Sequence, residues 1–227
     1  MASDEIMKPL WTRLRRNVRF VRGFTLLELC VVVAVIAMLM MLLFAAIGSA
    51  RESARRAKAK SDLLHIVSAL RTFYSDYQTY PVSRELRKTE VTFAINNSDL
   101  VNALRAVPEG ANANHALNPR QILYIEVPAA TDPHQPRSGV FRGCWYDPWG
   151  PDSRKPESGV YHIRIAAPDR HKVTNPYPGG DGGETGESDE ANEKGEAPMV
   201  DSDVIAWSLG KGGVQTYELR DQIISWR

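Results

Sequence analysis

Residues 29–47 read LCVVVAVIAMLMMLLFAAI, nineteen residues in a row without a polar side chain. As an α-helix rising 1.5 Å per residue, the run extends about 28 Å, close to the hydrocarbon thickness of a bilayer. It is read as one membrane crossing. Basic residues stand on both flanks: Lys8, Arg13, Arg15, Arg16, Arg19 and Arg22 before it, and Arg51, Arg55, Arg56, Lys58 and Lys60 after it. Counting charges therefore does not set the orientation. Across the whole chain, 28 Lys+Arg meet 27 Asp+Glu, 43% of residues are hydrophobic, and there are two cysteines. That balance excludes a strongly basic nucleic-acid binder, a disulfide-dense secreted scaffold and a disordered chain. The near-neutral sum hides two poles, for residues 1–23 carry +4 and residues 179–203 carry −8. Without residues 1–23 the formal side-chain charge is −3.

An ordinary secretory signal has a shorter apolar core and a small-residue cleavage site after it. Here the small residue precedes the core, in Arg22-Gly23-Phe24-Thr25-Leu26-Leu27-Glu28. Glu28 puts a carboxylate at the membrane edge, disfavoured by up to about 3 kcal/mol unless it is paired or interfacial. This stretch resembles the processing site of type IV prepilins and of the pseudopilins of type II secretion. The resemblance implies a leader, residues 1–23, cut by a prepilin peptidase between Gly23 and Phe24, and a methylated new terminus at Phe24. It also implies that Glu28 meets the amino terminus of a neighbouring subunit and so fixes axial register. The chain would be anchored by its own first helix, with its head outside the cytoplasm.

No proline occurs between Phe24 and Tyr80. Beyond the apolar run, Leu63, Ile66, Val67, Leu70, Phe73, Tyr74 and Tyr77 follow the i, i+3, i+4, i+7 spacing of one apolar helix face. One helix of about 80 Å is expected, with residues 24–47 in the membrane and residues 48–80 amphipathic. The basic stretch 51–60 has three readings: a seat for anionic phospholipid head groups, a partner for acidic residues of adjacent subunits, or a solvated face. The motif Ala57-Lys58-Ala59-Lys60-Ser61-Asp62-Leu63, with Ala69-Leu70, Tyr74, Asp76 and Tyr80-Pro81, is similar to the major pseudopilin of type II secretion. Where that family carries a proline toward the end of the membrane segment, this sequence has Ala45. Gly48-Ser49 is a weaker soft spot in the helix.

Residues 81–227 are expected to form a globular head. Residues 98–105 have the pattern of a short helix with Ser98 or Asn97 as its cap. Residues 121–127, 140–146, 160–165, 203–208 and 222–226 are short runs rich in β-branched and aromatic residues, bounded by turn residues. The fold class is α+β: a long N-terminal helix packed on a small antiparallel sheet, as in type IV pilins. Asp147-Pro148-Trp149-Gly150 reads as a turn whose Asp bonds the turn amides. With Ile205-Ala206-Trp207-Ser208-Leu209-Gly210 and Asp221-Gln222-Ile223-Ile224-Ser225-Trp226, it matches the order of motifs in the same pseudopilins. In that family the loop before the last strand holds calcium. The resemblance implies Asp221 as a ligand here, with the Leu209 carbonyl beside it. Lys211-Gly212-Gly213 stands where the family has an Asp, and one carboxylate beside a lysine is a poor site for an ion that takes six to eight oxygens. The acidic stretch 179–203 lacks the spacing of an EF-hand and reads as a solvated insertion.

Nothing in the sequence points to catalysis. His65, His115, His134, His162 and His171 are scattered, and H-E-x-x-H, G-x-S-x-G and G-x-x-x-x-G-K-[ST] are all missing. Cys30 and Cys144 fall in the membrane helix and in the head, so they are read as two small buried apolar residues that do not pair. The expected function is structural, and no enzyme is expected. The chain would be a subunit of a periplasmic pseudopilus, anchored in the inner membrane by a single pass. Its expected partners are further copies in a helical filament, prepilin peptidase, other pseudopilins, inner-membrane assembly proteins and the lipid bilayer. No nucleic acid is expected. Two alternatives stand beside this: a type IV pilus pilin or minor pilin serving adhesion, motility or DNA uptake, and a membrane-anchored binding or enzymatic domain.

Overall fold

The computed structural model describes residues 23–154, 158–177, 199–212 and 223–226. The chain divides into two compact units, Met1–Gly48 and Ser49–Arg227. Helix α1 (Leu26–Tyr77, 52 residues) contributes to both. In the first unit the described apolar side chains of α1 are exposed; Leu39 is 60% and Phe44 71% exposed. By length and composition α1 can cross a membrane, and none of its apolar window is buried in protein.

In the second unit the pattern of α1 changes from apolar on all faces to apolar on one. Ala59, Leu63, Ile66, Val67, Leu70 and Phe73 are buried, so the i, i+3, i+4, i+7 stripe predicted from the sequence is the face that packs. Tyr74, predicted on that face, lies at its margin at 38% exposure and rests against the Tyr80 ring, 4.9 Å between centroids. The helix ends on Gln78, which takes a left-handed φ of 55° while its amide donates to the Tyr74 carbonyl. Pro81 follows three residues on, where the helix could not have continued.

The stripe is covered by a four-stranded antiparallel sheet in the order β1 (Val91–Phe93), β4 (His162–Ile165), β7 (Val204–Ser208), β8 (Ile223–Ile224). Register is set by pairs such as Phe93 with Ile163, His162 with Trp207 and Trp207 with Ile224. All five residues of β7 are buried. Its alternation divides them, Val204 and Ala206 joining the helix core while Ile205 and Trp207 join a second cluster with Ala166, Val173, Tyr177 and Leu209. Two hairpin-like pairs complete the head: β2 (Gly139–Phe141) with β3 (Cys144–Tyr146), and β5 (Val173–Thr174) with β6 (Met199–Val200).

Several expectations need correction. Residues 140–146 are not one strand but the hairpin β2–β3, turned at Arg142 and Gly143 with φ of 49° and 81°. Two successive left-handed residues match the twist of a two-residue hairpin. A Cβ at Gly143 would come within 2.9 Å of Ser98, so glycine is required there on both counts. Residues 121–127 bury Ile125 and Val127 in strand-like alternation, yet they form no strand. The Tyr124 amide instead donates to the Leu104 carbonyl at the end of α2 (Ser98–Leu104). Asn97 precedes α2 but does not cap it. Its side chain is drawn into the sheet, donating to the Trp145 and Tyr161 carbonyls and accepting from the Trp145 amide. Neither cysteine is buried: Cys30 is exposed on α1, and Cys144 is half-buried with its thiol donating to Asn96 at 3.2 Å. Both are free thiols.

Leu70 touches no solvent, so Leu70→Ala should cost about 2–5 kcal/mol of head stability, against less than about 1.5 kcal/mol for Tyr74→Ala. Chemical unfolding of the full chain in detergent, followed by tryptophan fluorescence, measures both.

Candidate assembly and processing site

The start of α1 is built by two short-range bonds. Thr25 stands just before the helix, and its hydroxyl accepts from the Glu28 amide at 3.1 Å. The Glu28 carboxylate reaches back to accept from the Thr25 amide at 3.2 Å and the Thr25 hydroxyl at 3.1 Å, both at Oε2. This is a capping box, in which two otherwise orphaned helix-end amides are satisfied reciprocally. The carboxylate also sits in the first turn, where the helix dipole favours negative charge. The T-x-x-E pattern before an apolar run was present in the sequence, and Thr25 is the partner that the reading of Glu28 passed over.

Immediately ahead, Gly23 and Phe24 lie outside the helix, with Phe24 78% exposed. A Cβ built on Gly23 would meet nothing within 4 Å, so packing among the described residues does not require glycine at this position. The leader residues 1–22 lie outside the described residues.

A second set of polar contacts fixes the head on the later part of α1. Asp62, 2% exposed, accepts from Lys58 at 2.7 Å and from the Tyr161 hydroxyl at 2.8 Å. Burial, then the charge of Asp62 and the bond to it, raise the Tyr161 hydroxyl far above its ordinary range, so it stays a donor. The Trp149 indole donates to Glu52, which also pairs with Arg56 at 3.5 Å. The Asp147 carboxylate is wholly buried. Oδ1 accepts the Trp149 and Gly150 amides at 3.0 and 2.9 Å, and Oδ2 accepts the Ser208 hydroxyl at 2.6 Å. Ser208 Oγ in turn accepts the Gly210 amide. The Asp-Pro-Trp-Gly turn and the Trp-Ser-Leu-Gly strand end, 61 residues apart, are thus one structure.

Of the residues expected to hold calcium, Leu209 is buried in the second cluster at 2% exposure, and Asp221 lies outside the described residues. Among the described residues no three His, Cys, Asp or Glu side chains gather as a metal-holding group. Most of the acidic stretch 179–203 also lies outside the described residues.

An α+β head seated on the amphipathic part of one helix, whose apolar part opens with a capped Thr-x-x-Glu, defines the class of pilin-like folds. Within that class the chain is similar to type II secretion system core protein G. It is 28% identical to that protein from Escherichia coli (strain K12) over 151 residues, 65% of this chain and 82% of the relative. It is 38% identical to the Pectobacterium carotovorum subsp. carotovorum protein of the same name over 71 residues, 31% of this chain and 46% of that relative. No family model matches the chain, and no solved structure matches it. The relationship is pseudopilin-like, and both relatives bear the name of a core component of a secretion system.

Burial raises the Asp147 carboxyl, opposed by the Ser208 hydroxyl, the Gly150 and Trp149 amides and the charge of Arg137. The folded state therefore binds this proton more tightly than the unfolded one. The contribution of Asp147 to stability is largest below its unfolded value and declines as pH rises toward its folded value. Asp147→Ala should cost about 2–4 kcal/mol by stranding two amides and a hydroxyl. Asp147→Asn should abolish the decline, so its stability relative to wild type should improve between pH ~4 and pH ~7 in chemical unfolding.

Proposed function

We propose that this protein is a structural subunit of a periplasmic pseudopilus of type II secretion, cut between Gly23 and Phe24 and assembled through its N-terminal helix. The observation that carries the reading is the capped Thr25–Glu28 start of α1, standing directly before an apolar stretch that the described residues leave uncovered. Similarity to core protein G over 151 residues supports the system assignment.

The proposed parts are a leader at residues 1–23, a membrane helix at 24–47, an amphipathic helix at 48–80 and a head at 81–227 carrying the acidic stretch 179–203. A glycine that no contact among the described residues requires is accounted for by a processing enzyme whose cleft admits no larger side chain at that position. Cutting after Gly23 leaves the Thr25 amide intact as the second residue's N–H, so the capping box survives processing. All bonds from the carboxylate to Thr25 use Oε2. In this reading Oε1 accepts the amine of Phe24 from a neighbouring copy, a charge-assisted bond in low dielectric that fixes the stagger between helices. Packed apolar helices supply the attraction and Glu28 supplies the register. The work is mechanical and breaks no covalent bond. Prepilin peptidase, other pseudopilins and inner-membrane assembly proteins are the proposed partners, with the head in the periplasm.

Mass spectrometry of the chain from a host with the secretion system should find a mature terminus at a methylated Phe24. Retention of residues 1–23 in the assembled protein would overturn the reading. Glu28→Leu should leave membrane insertion intact and reduce cross-linked oligomers about tenfold or more, as loss of a charge-assisted bond requires.

A further inference from the structure

We propose that Arg51 and Arg55 form a seat for the phosphate of an anionic phospholipid at the end of the membrane helix. The inference rests on the reading of the apolar part of α1 as a membrane crossing. Five basic residues fall between positions 51 and 60, and the structure sorts them into two kinds. Lys58 pairs with Asp62 at 2.7 Å, Lys60 donates to the Ile224 carbonyl at 2.6 Å, and Arg56 pairs with Glu52 at 3.5 Å. These three are engaged within the second unit. Arg51 and Arg55 are exposed and make no hydrogen bond or ion pair among the described residues.

The acid that follows Arg51 does not neutralise them. Glu52 is held toward the head by the Trp149 indole at 3.2 and 3.3 Å and by Arg56. Arg51 and Arg55, four residues apart, occupy one helix face one turn from each other, where like charges repel unless an anion lies between them. Two guanidinium forks on adjacent turns present the planar, paired donors that match phosphate oxygens.

Their position selects the source of that phosphate. Arg51 and Arg55 follow Ile47, the last residue of the apolar run, by four and eight residues, or roughly 6 and 12 Å of helix rise. The polar region of one leaflet is about 5–8 Å thick, and an arginine stem can reach back toward it. Since basic residues flank the run on both sides, one flank stands against the charge bias of membrane crossings. A bound anionic headgroup relieves that conflict for Arg51 and Arg55 whichever way the chain is oriented.

The test uses the full chain in vesicles of phosphatidylcholine, with and without phosphatidylglycerol. Spin-labelled lipids of each type report the fraction held at the protein. Wild type should prefer the labelled phosphatidylglycerol by about fivefold or more, the scale set by one arginine near a charged surface. Arg51→Gln/Arg55→Gln should bring that preference close to parity, whereas Arg56→Gln should keep it. An unchanged preference in the double variant, or an equal loss in Arg56→Gln, overturns the seat. So does the absence of any preference combined with reduced cross-linking between copies of the double variant in phosphatidylcholine alone, which assigns the pair to an acidic surface of a second copy. If the protein fails to float with vesicles of either composition, the membrane reading itself falls. If it floats without lipid selectivity, the membrane reading stands and the seat alone is refuted.

Discussion

The apolar stripe on the later part of α1 has to be covered, and the whole head is arranged to cover it. Leu63, Ile66, Leu70 and Phe73 are essentially free of solvent because β1, β4, β7 and β8 are antiparallel neighbours whose inward residues meet that stripe. Burying four such side chains contributes on the order of 6–12 kcal/mol before the entropy of ordering the chain is counted. That gross gain is comparable to the whole net stability of an ordinary domain. The second cluster, around Trp207 and Tyr177, forms on the far face of the same strand because alternation on β7 sends every other residue there.

Hydrophobic burial does not say where along the helix the sheet should sit, and that choice falls to a few buried polar groups. Asp62 is the clearest. Its carboxylate needs both the Lys58 ammonium and the Tyr161 hydroxyl, and a shift of the head by one turn would strand a charge in a dry environment. Asp147 plays the same part between the turn at Trp149 and the end of β7, and Asn97 between α2 and the strands at Trp145 and Tyr161. Each lost bond in such a place costs more than an exposed pair because water cannot replace the partner. The Trp149–Glu52 contact extends the same registration toward the start of the second unit.

What was legible in the sequence follows from which interactions are local. The helix face could be read because its periodicity repeats within a few turns, and the buried β7 because Val204–Ser208 is apolar or small throughout. The Arg142–Gly143 turn was missed because residues 140–146 keep an unbroken run of β-forming types, and one left-handed residue of the turn is an arginine. Residues 121–127 looked like a strand because alternation reports burial, not pairing, and the chain there takes its bond from the end of α2. Asp62–Tyr161 and Glu52–Trp149 were out of reach altogether, being 99 and 97 residues apart with no spacing to betray them. At the candidate site the local role of Glu28 went unread: besides the register contact that the resemblance implies, its carboxylate bonds Thr25, three residues away.

The local partner changes the energetics of the proposed register contact. An unpaired carboxylate at the edge of an apolar helix would be costly before assembly, and a free subunit would resist insertion or draw in water. With Oε2 engaged by the Thr25 amide and hydroxyl, and with the helix dipole favouring its charge, Glu28 is tolerated in a lone subunit. The same bonds hold the carboxylate in one orientation, so that a neighbouring amine meets a group already ordered and pays less conformational entropy on docking. In the proposed assembly, capping and registration would be complementary uses of one side chain. The first lowers the cost of a carboxylate at the membrane edge in a lone subunit, and the second would become available only when another helix brings its own terminus alongside.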